Sequence, residues 1–125
     1  MSESVMIIEY DYENDILFFY DDNNYKYEFS EHLDKSVVMD FNKNKLPIGL
    51  EILNASKLFK TKKFHLKSIN NGHLNIVVSE EKIEISLSLS TKIHNKPTPM
   101  NLINVNSDNN LDIPNIKTEV AVATA

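Results

Sequence analysis

The sequence predicts an α+β chain that is mostly β, with antiparallel sheets built from hairpins and one short helix near residues 55–62. Three observations predict it. Ile83, Ile85, Leu87 and Leu89 alternate with Glu84, Ser86, Ser88 and Ser90, the period-two pattern of a strand with one buried face and one wet face. Clusters such as Asp11-Tyr12-Glu13-Asn14-Asp15 and Asp21-Asp22-Asn23-Asn24 punctuate short apolar runs, and Asx side chains satisfy turn backbone and tolerate positive φ. Asn54 or Ser56 stands where a side-chain oxygen would cap a helix, with Leu58 and Phe59 toward the sheet and lysines outward.

The elements follow in order. Val5–Tyr10 and Ile16–Tyr20 are β-prone runs, each closed by one of the Asx clusters and so expected to end in a hairpin. Tyr25, Tyr27 and Phe29 alternate with Lys26, Glu28 and Ser30, which predicts a half-exposed third strand. Val37–Phe41 is a fourth, and Asn42-Lys43-Asn44-Lys45 turns the chain into a fifth from Leu46 to Leu53. Pro47 has no ladder donor and belongs at that strand's start or at an edge, and Gly49 marks a bulge or a close backbone approach.

Beyond the helix, Phe64–Ile69 offers a further weak helical turn. Asn70-Asn71-Gly72 predicts a turn, because Asn-Gly is at ease at φ > 0, and a strand from His73 to Ser79 follows it. Glu80-Glu81-Lys82 closes a hairpin onto the alternating strand. Asn95–Lys117, with Pro97, Pro99 and Pro114 among many Asn, Asp and Ser residues, predicts a long irregular crossing. Thr118–Thr124 is a last strand. A chain of 125 residues is the size of a single domain, here read as 1–125, with a β-rich half plus helix over 6–59 and a hairpin, loop and last strand over 63–125.

Composition narrows the function classes. The net charge of −5 repels a phosphate backbone, so nucleic acid is not the expected partner. Lys57, Lys60, Lys62, Lys63 and Lys67 are the densest local exception, read as a solvated helix face. The chain contains no cysteine, which removes disulfides, thiolate metal sites and thiol nucleophiles together. Met1-Ser2-Glu3-Ser4 does not resemble a signal peptide, and no apolar run approaches the ~20 residues that cross a bilayer. A cytoplasmic protein without a membrane association is expected.

No catalytic, cofactor-binding or metal-binding residue is assigned, and no cofactor is expected. His32, His65, His73 and His94 lie at no ligand spacing with one another. His32 with Asp34 is the nearest approach to a metal couple, and a solvated loop is its plainer reading. Asp21-Asp22 and Glu80-Glu81 fall in turns, where acidic pairs are solvated. With two glycines, Gly49 and Gly72, no glycine-rich phosphate loop is present. Asp11, Asp15 and Asp40 sit at strand ends, where carboxylates accept backbone N–H bonds. Glu51, between Leu50 and Ile52, points away from their face and into solvent. The aromatics between Tyr10 and Phe41 are read as cross-strand packing, with exposed tyrosines meeting protein.

Tyr10-Asp11, Asp15-Ile16-Leu17, Val37–Phe41 and Gly49-Leu50-Glu51-Ile52-Leu53-Asn54-Ala55-Ser56 together resemble the prokaryotic domain-of-unknown-function family 2283 over residues 6–59. Lys63-Phe64-His65-Leu66 and the tail from Pro114 resemble a longer form associated with archaea. The resemblance implies a compact β-sheet domain with a helix and brings no catalytic residues. A noncatalytic protein-interaction or homo-oligomerising module is therefore the leading expectation. The alternatives are a small-molecule-binding protein or enzyme with a site between sheet and loop, using Asp40, His65 or His94, and an antitoxin-like or nucleic-acid-associated regulator resting on the lysines.

Overall fold

In the computed structural model, which describes residues 5–23 and 25–124, strands β1 (Val5–Asp11), β2 (Ile16–Tyr20), β3 (Phe29–His32), β4 (Val37–Phe41) and β5 (Pro47–Ile52) lead into helices α1 (Ala55–Leu58) and α2 (Lys63–Leu66). Strands β6 (Ile69–Val78), β7 (Lys82–Ile93), β8 (Lys96–Pro99), β9 (Ile103–Asp108) and β10 (Ile116–Thr124) complete the chain. Met1–Ser4, Asn24 of the second Asx cluster and Ala125 lie outside the described residues.

All ten strands join one sheet in the order β3-β4-β5-β2-β1-β10-β6-β7-β8, with β9 also paired to β7. The expected antiparallel sheets become a single mixed one, because β10 returns to lie parallel to β1, pairing Val5 with Ala121 and Met6 with Val122. That one parallel contact joins the two halves. Leu17, Phe19, Met39, Leu50 and Ile52 on the first side and Leu74, Ile76, Ile85, Leu87 and Val120 on the other form one continuous core, so the sheet curls over its apolar face. Phe59 and Leu66 bring the two helices into the same core. At Leu111, the loop after β9 reaches back to the β4–β5 turn, where Lys45 Nζ donates to the Leu111 carbonyl at 2.7 Å.

Several expectations change. The predicted helix 55–62 shortens to α1 at 55–58, because Lys60 at φ 53° ends it, and α2 at 63–66 falls mostly on the further turn expected over 64–69. Neither Asn54 nor Ser56 caps α1 with a side chain. Asn54 adopts a left-handed conformation, and Asp15 caps α1 from across the molecule. The second Asx cluster does not close a hairpin either: β2 pairs with β1 and β5, and β3 lies at the far edge. Tyr25–Glu28 is not strand; the strand begins at Phe29, whose ring stacks on Phe41 at 5.0 Å.

Asn70-Asn71-Gly72 is not a turn but the inside of β6, and neither glycine has positive φ. Gly72 is required there for space. A Cβ would stand 2.4 Å from Leu89 Cδ2 and 2.6 Å from the Ser88 carbonyl oxygen. The 95–117 crossing holds two strands, β8 and β9. The prolines fit because β8 is an edge strand, formed through a tight turn in which His94 and Asn95 both have positive φ. Pro47 opens β5, as expected.

Candidate functional site

The half bearing the family-like residues contains two carboxylate-centred clusters, made by different geometry. In the first, the chain turns after β1 so that Asp15, at φ 56°, is buried under α1. Its Oδ1 accepts from Tyr10 Oη at 2.7 Å and from the Ser56 amide at 3.0 Å, its Oδ2 accepts from Ser56 Oγ at 2.7 Å, and its carbonyl accepts from the Ala55 amide at 2.9 Å. Burial pushes the Asp15 carboxyl up, but the Ser56 and Tyr10 bonds outweigh it and hold it below the ordinary value; Tyr10 is raised in turn, by burial and by Asp15. This cluster pins the β1–β2 hairpin to the first helix.

The second cluster lies on the outer face of the sheet. Alternation sends Met39, Phe41, Leu50 and Ile52 inward and Asp40, Gly49 and Glu51 outward, and the β4–β5 register pairs Asp40 with Gly49. Glu51 is therefore the diagonal same-face neighbour of Asp40, within reach for a long side chain. Asp40 is only 1% exposed, covered by the Tyr25 segment. Tyr25 Oη donates to its Oδ2 at 3.2 Å and Ser30 Oγ to its Oδ1 at 2.6 Å, while Ser30 Oγ also lies 2.8 Å from Tyr27 Oη. Gly49 leaves the floor open: a Cβ there would meet Tyr25 Cε2, Asp40 Oδ2 and the Phe19 carbonyl oxygen, each at 3.1 Å.

Desolvation, a hydrogen bond with Asp40 and repulsion from its charge push the Glu51 carboxyl up to about 7. Burial and Asp40 raise the Tyr25 phenol to about 12. Phe18 and Tyr20 extend the aromatic cover, their rings 5.8 and 6.2 Å from that of Tyr25. Chemically the cluster sets Glu51, its carboxyl pushed up toward neutrality, beside the buried Asp40 carboxylate that Tyr25 covers. It was legible only in part: Glu51 does face outward as expected, but it is half-covered, and Asp40 accepts hydroxyl rather than backbone bonds.

A third feature is the lysine surface. Lys63 and Lys67 place their ammonium groups 5.3 and 5.0 Å from the centre of the Tyr12 ring, and Lys63 Nζ donates to the Tyr12 carbonyl at 3.2 Å. Phe64 beside them is 68% exposed. Residues 52–79 contain no acid, so positive charge is locally concentrated. An open groove of about 440 Å³ lined by Glu9, Tyr10, Leu66 and Lys67 adjoins this surface.

The remaining candidates do not assemble. Asp40 lies on β4, His65 on α2 with its Nδ1 3.1 Å from Thr61 Oγ1, and His94 in the β7–β8 turn. Strand order separates the first from the last by six sheet positions. Asp34, paired with His32 in the sequence, accepts from the Ser36 and Val37 amides instead. Asp11 accepts from the Asn14 side chain and backbone, the turn role expected of it. Among the described residues, no group of three or more His, Cys, Asp or Glu side chains is placed to hold a metal ion, and no helix is long and apolar enough to cross a membrane.

The fold and clusters define a class: a mostly β chain with one curled mixed sheet and carboxylates that bind its own hydroxyls. The sequence profile of the family described as Protein of unknown function (DUF2283) matches residues 7–56, from β1 into the first helix. A Methanosarcina mazei protein with the provisional name hypoxanthine phosphoribosyltransferase is 38% identical over 88 residues, 70% of this chain and 70% of that protein. An uncharacterized Methanocaldococcus jannaschii protein is 46% identical over 59 residues, 47% of this chain and 49% of that protein. No solved structure matches. Residues 7–56 thus belong to the DUF2283 family, and both clusters fall within that segment.

Proposed function

We propose that this chain is a noncatalytic protein-contact domain, working as a homo-oligomer or as a subunit of a larger assembly. One observation carries the reading. The buried carboxylates Asp15 and Asp40 hold the chain's own hydroxyls and amides, while Tyr25 and Tyr27 remain 38% and 52% exposed over the outer face. Half-exposed tyrosines on a fixed support are typical contact residues, since they offer apolar area and a polar tip at low entropic cost. Light scattering on the purified chain, alone and with captured partners, tests this: a complex weakened by Tyr27→Ala supports it, and a monomer without partners overturns it.

The rival reading, a small-molecule site or enzyme, draws on Glu51, because a carboxyl poised near neutrality suits a general acid. The provisional name of the Methanosarcina mazei relative points the same way. Phosphoribosyl transfer handles a pyrophosphate, which proteins usually hold on glycine-rich loops and helix N-termini. Here Gly49 and Gly72 are inside strands and both helices have four residues, which favours the contact reading. Incubation with hypoxanthine and phosphoribosyl pyrophosphate separates them: no turnover is expected, and turnover abolished by Glu51→Gln would reverse the choice. A nucleic-acid role would rest on the lysine surface and Phe64; two ammonium groups already lie over the Tyr12 ring, which leaves less of it for base stacking. Salt-insensitive or absent binding to single strands is expected.

A further inference from the structure

Sheet edges are a hazard that proteins blunt with short strands, charges and prolines. Two of the free edges here are blunted that way. β3 has four residues and carries exposed Glu31 and His32, and β8 has four and carries Lys96, Pro97 and Pro99. β9 differs. From Ile103 to Ser107 it has no charge, no proline and no glycine, and its terminal Asp108 is drawn back to β7 by Lys82 at 2.7 Å. Among the described residues it pairs with β7 alone, which leaves its other side open.

We propose that β9 pairs antiparallel with β9 of a second copy about a two-fold axis, extending the sheet across a dimer. This rests on the protein-contact reading and adds a contact with a second copy at a sheet edge separate from the Tyr25 and Tyr27 face. The side-chain pattern selects the register. Ile103 and Val105 face the core, while Asn104 and Asn106 face out and are exposed, so a pairing displaced by one residue sets apolar against polar on both faces. With Val105 on the axis, Ile103 lies opposite Ser107 of the second copy and Asn104 opposite Asn106 of the second copy. Each amide then meets a group that both donates and accepts. Displacement by two residues toward Asp108 would leave Ile103 uncovered and bring Asp108, already held by Lys82, into the ladder. Displacement the other way leaves the half of β9 from Asn106 to Asp108 unpaired. Leu102, 56% exposed, stands at the start of the same edge.

The occupant is a second copy because the strand is neutral and complementary to itself in this register, whereas a basic or acidic partner would find no charge to pair with between Ile103 and Ser107. Such an isologous contact closes after two subunits and does not propagate.

Sedimentation equilibrium on the full chain and two variants tests the proposal. The wild type is expected to dimerise. Asn104→Lys with Asn106→Lys sets like charges opposite each other twice and should weaken the dimer at least about tenfold. Asn104→Glu with Asn106→Lys differs at one position, puts opposite charges together in the proposed register, and should restore a dimer that salt weakens. Both substitutions are on the wet face, so unchanged circular dichroism and melting check the fold. A monomeric wild type, a double-lysine variant that still dimerises, or a charge-swapped variant that stays monomeric each overturns the proposal. A double-lysine dimer that Tyr27→Ala then disrupts would remove β9 and leave the protein-contact reading standing.

Discussion

The two halves of the sheet solve the problem of an outer face differently. Between β1 and β5 that face is built over: Tyr25 lies across Gly49, its hydroxyl on Asp40, with Phe18 and Tyr20 alongside. Between β6 and β9 it is bare, a row of Asn75, Glu84, Ser86, Asn104 and Asn106 around an open groove of about 320 Å³. The inner faces are alike in kind, since Leu17 and Leu50 on one side and Leu74 and Leu87 on the other are all fully buried. The lesson is that polar side chains contribute to structure in the first half through specific partners, whereas in the second they mostly keep a face wet, and residue type alone does not distinguish these roles.

Substitutions can break that contrast, beginning with the strongest. Asp15→Ala strands the Tyr10 and Ser56 hydroxyls and the Ser56 amide together, and should cost about 3 kcal/mol in urea unfolding. A loss below about 1 kcal/mol would show that the first half does not depend on its carboxylates. Gly72→Ala tests the other half, where sensitivity should come from packing: the Cβ meets backbone and Leu89, and about 2 kcal/mol is expected in the same assay.

The acid pair gives a pH signature. Because Glu51 titrates near 7 when folded and near the ordinary 4.5 when unfolded, the native state binds the additional proton between those values. Its contribution is complete below the unfolded value and is lost as pH rises through 7. Melting temperature should fall between about pH 5 and about pH 8, and Glu51→Gln should flatten that slope. An unchanged slope in the variant would mean that Glu51 is not raised beside Asp40. The smallest effect is expected on the bare face, where Ser88→Ala should change stability by no more than about 0.5 kcal/mol; a larger loss would show that this face, too, is specifically built.

The alternation from Ile83 to Ser90 was legible because each residue there obeys one rule, inward apolar and outward polar, along the whole of β7. The Asn70-Asn71-Gly72 segment was misread because the same glycine that suits a turn also suits a strand where Leu89 and the Ser88 carbonyl crowd the backbone. Pro97 and Pro99 signalled a loop, but an edge strand needs no donor on its open side. The Asp40–Glu51 pair left a trace that could have been followed. Once β4 and β5 are joined through Asn42–Lys45, alternation sends both acids to one face at diagonal positions. Tyr25 left none, since Tyr25–Phe29 alternates as a strand would, and only the buried Asp40 carboxylate draws its hydroxyl over the sheet.

By itself the sequence determined a mostly β chain, the inward sets on β5 and β7, and the DUF2283 character of residues 7–56, because period, turn chemistry and local motif are properties of neighbouring residues. Tertiary structure decided that β10 lies parallel to β1, that Asp15 rather than Asn54 caps the first helix, that Glu51 is brought beside the buried Asp40 and its Tyr25 cover, and that β9 is left open. Those outcomes depend on contacts between segments far apart in the chain, and their energies exist only once the sheet has curled around a common core.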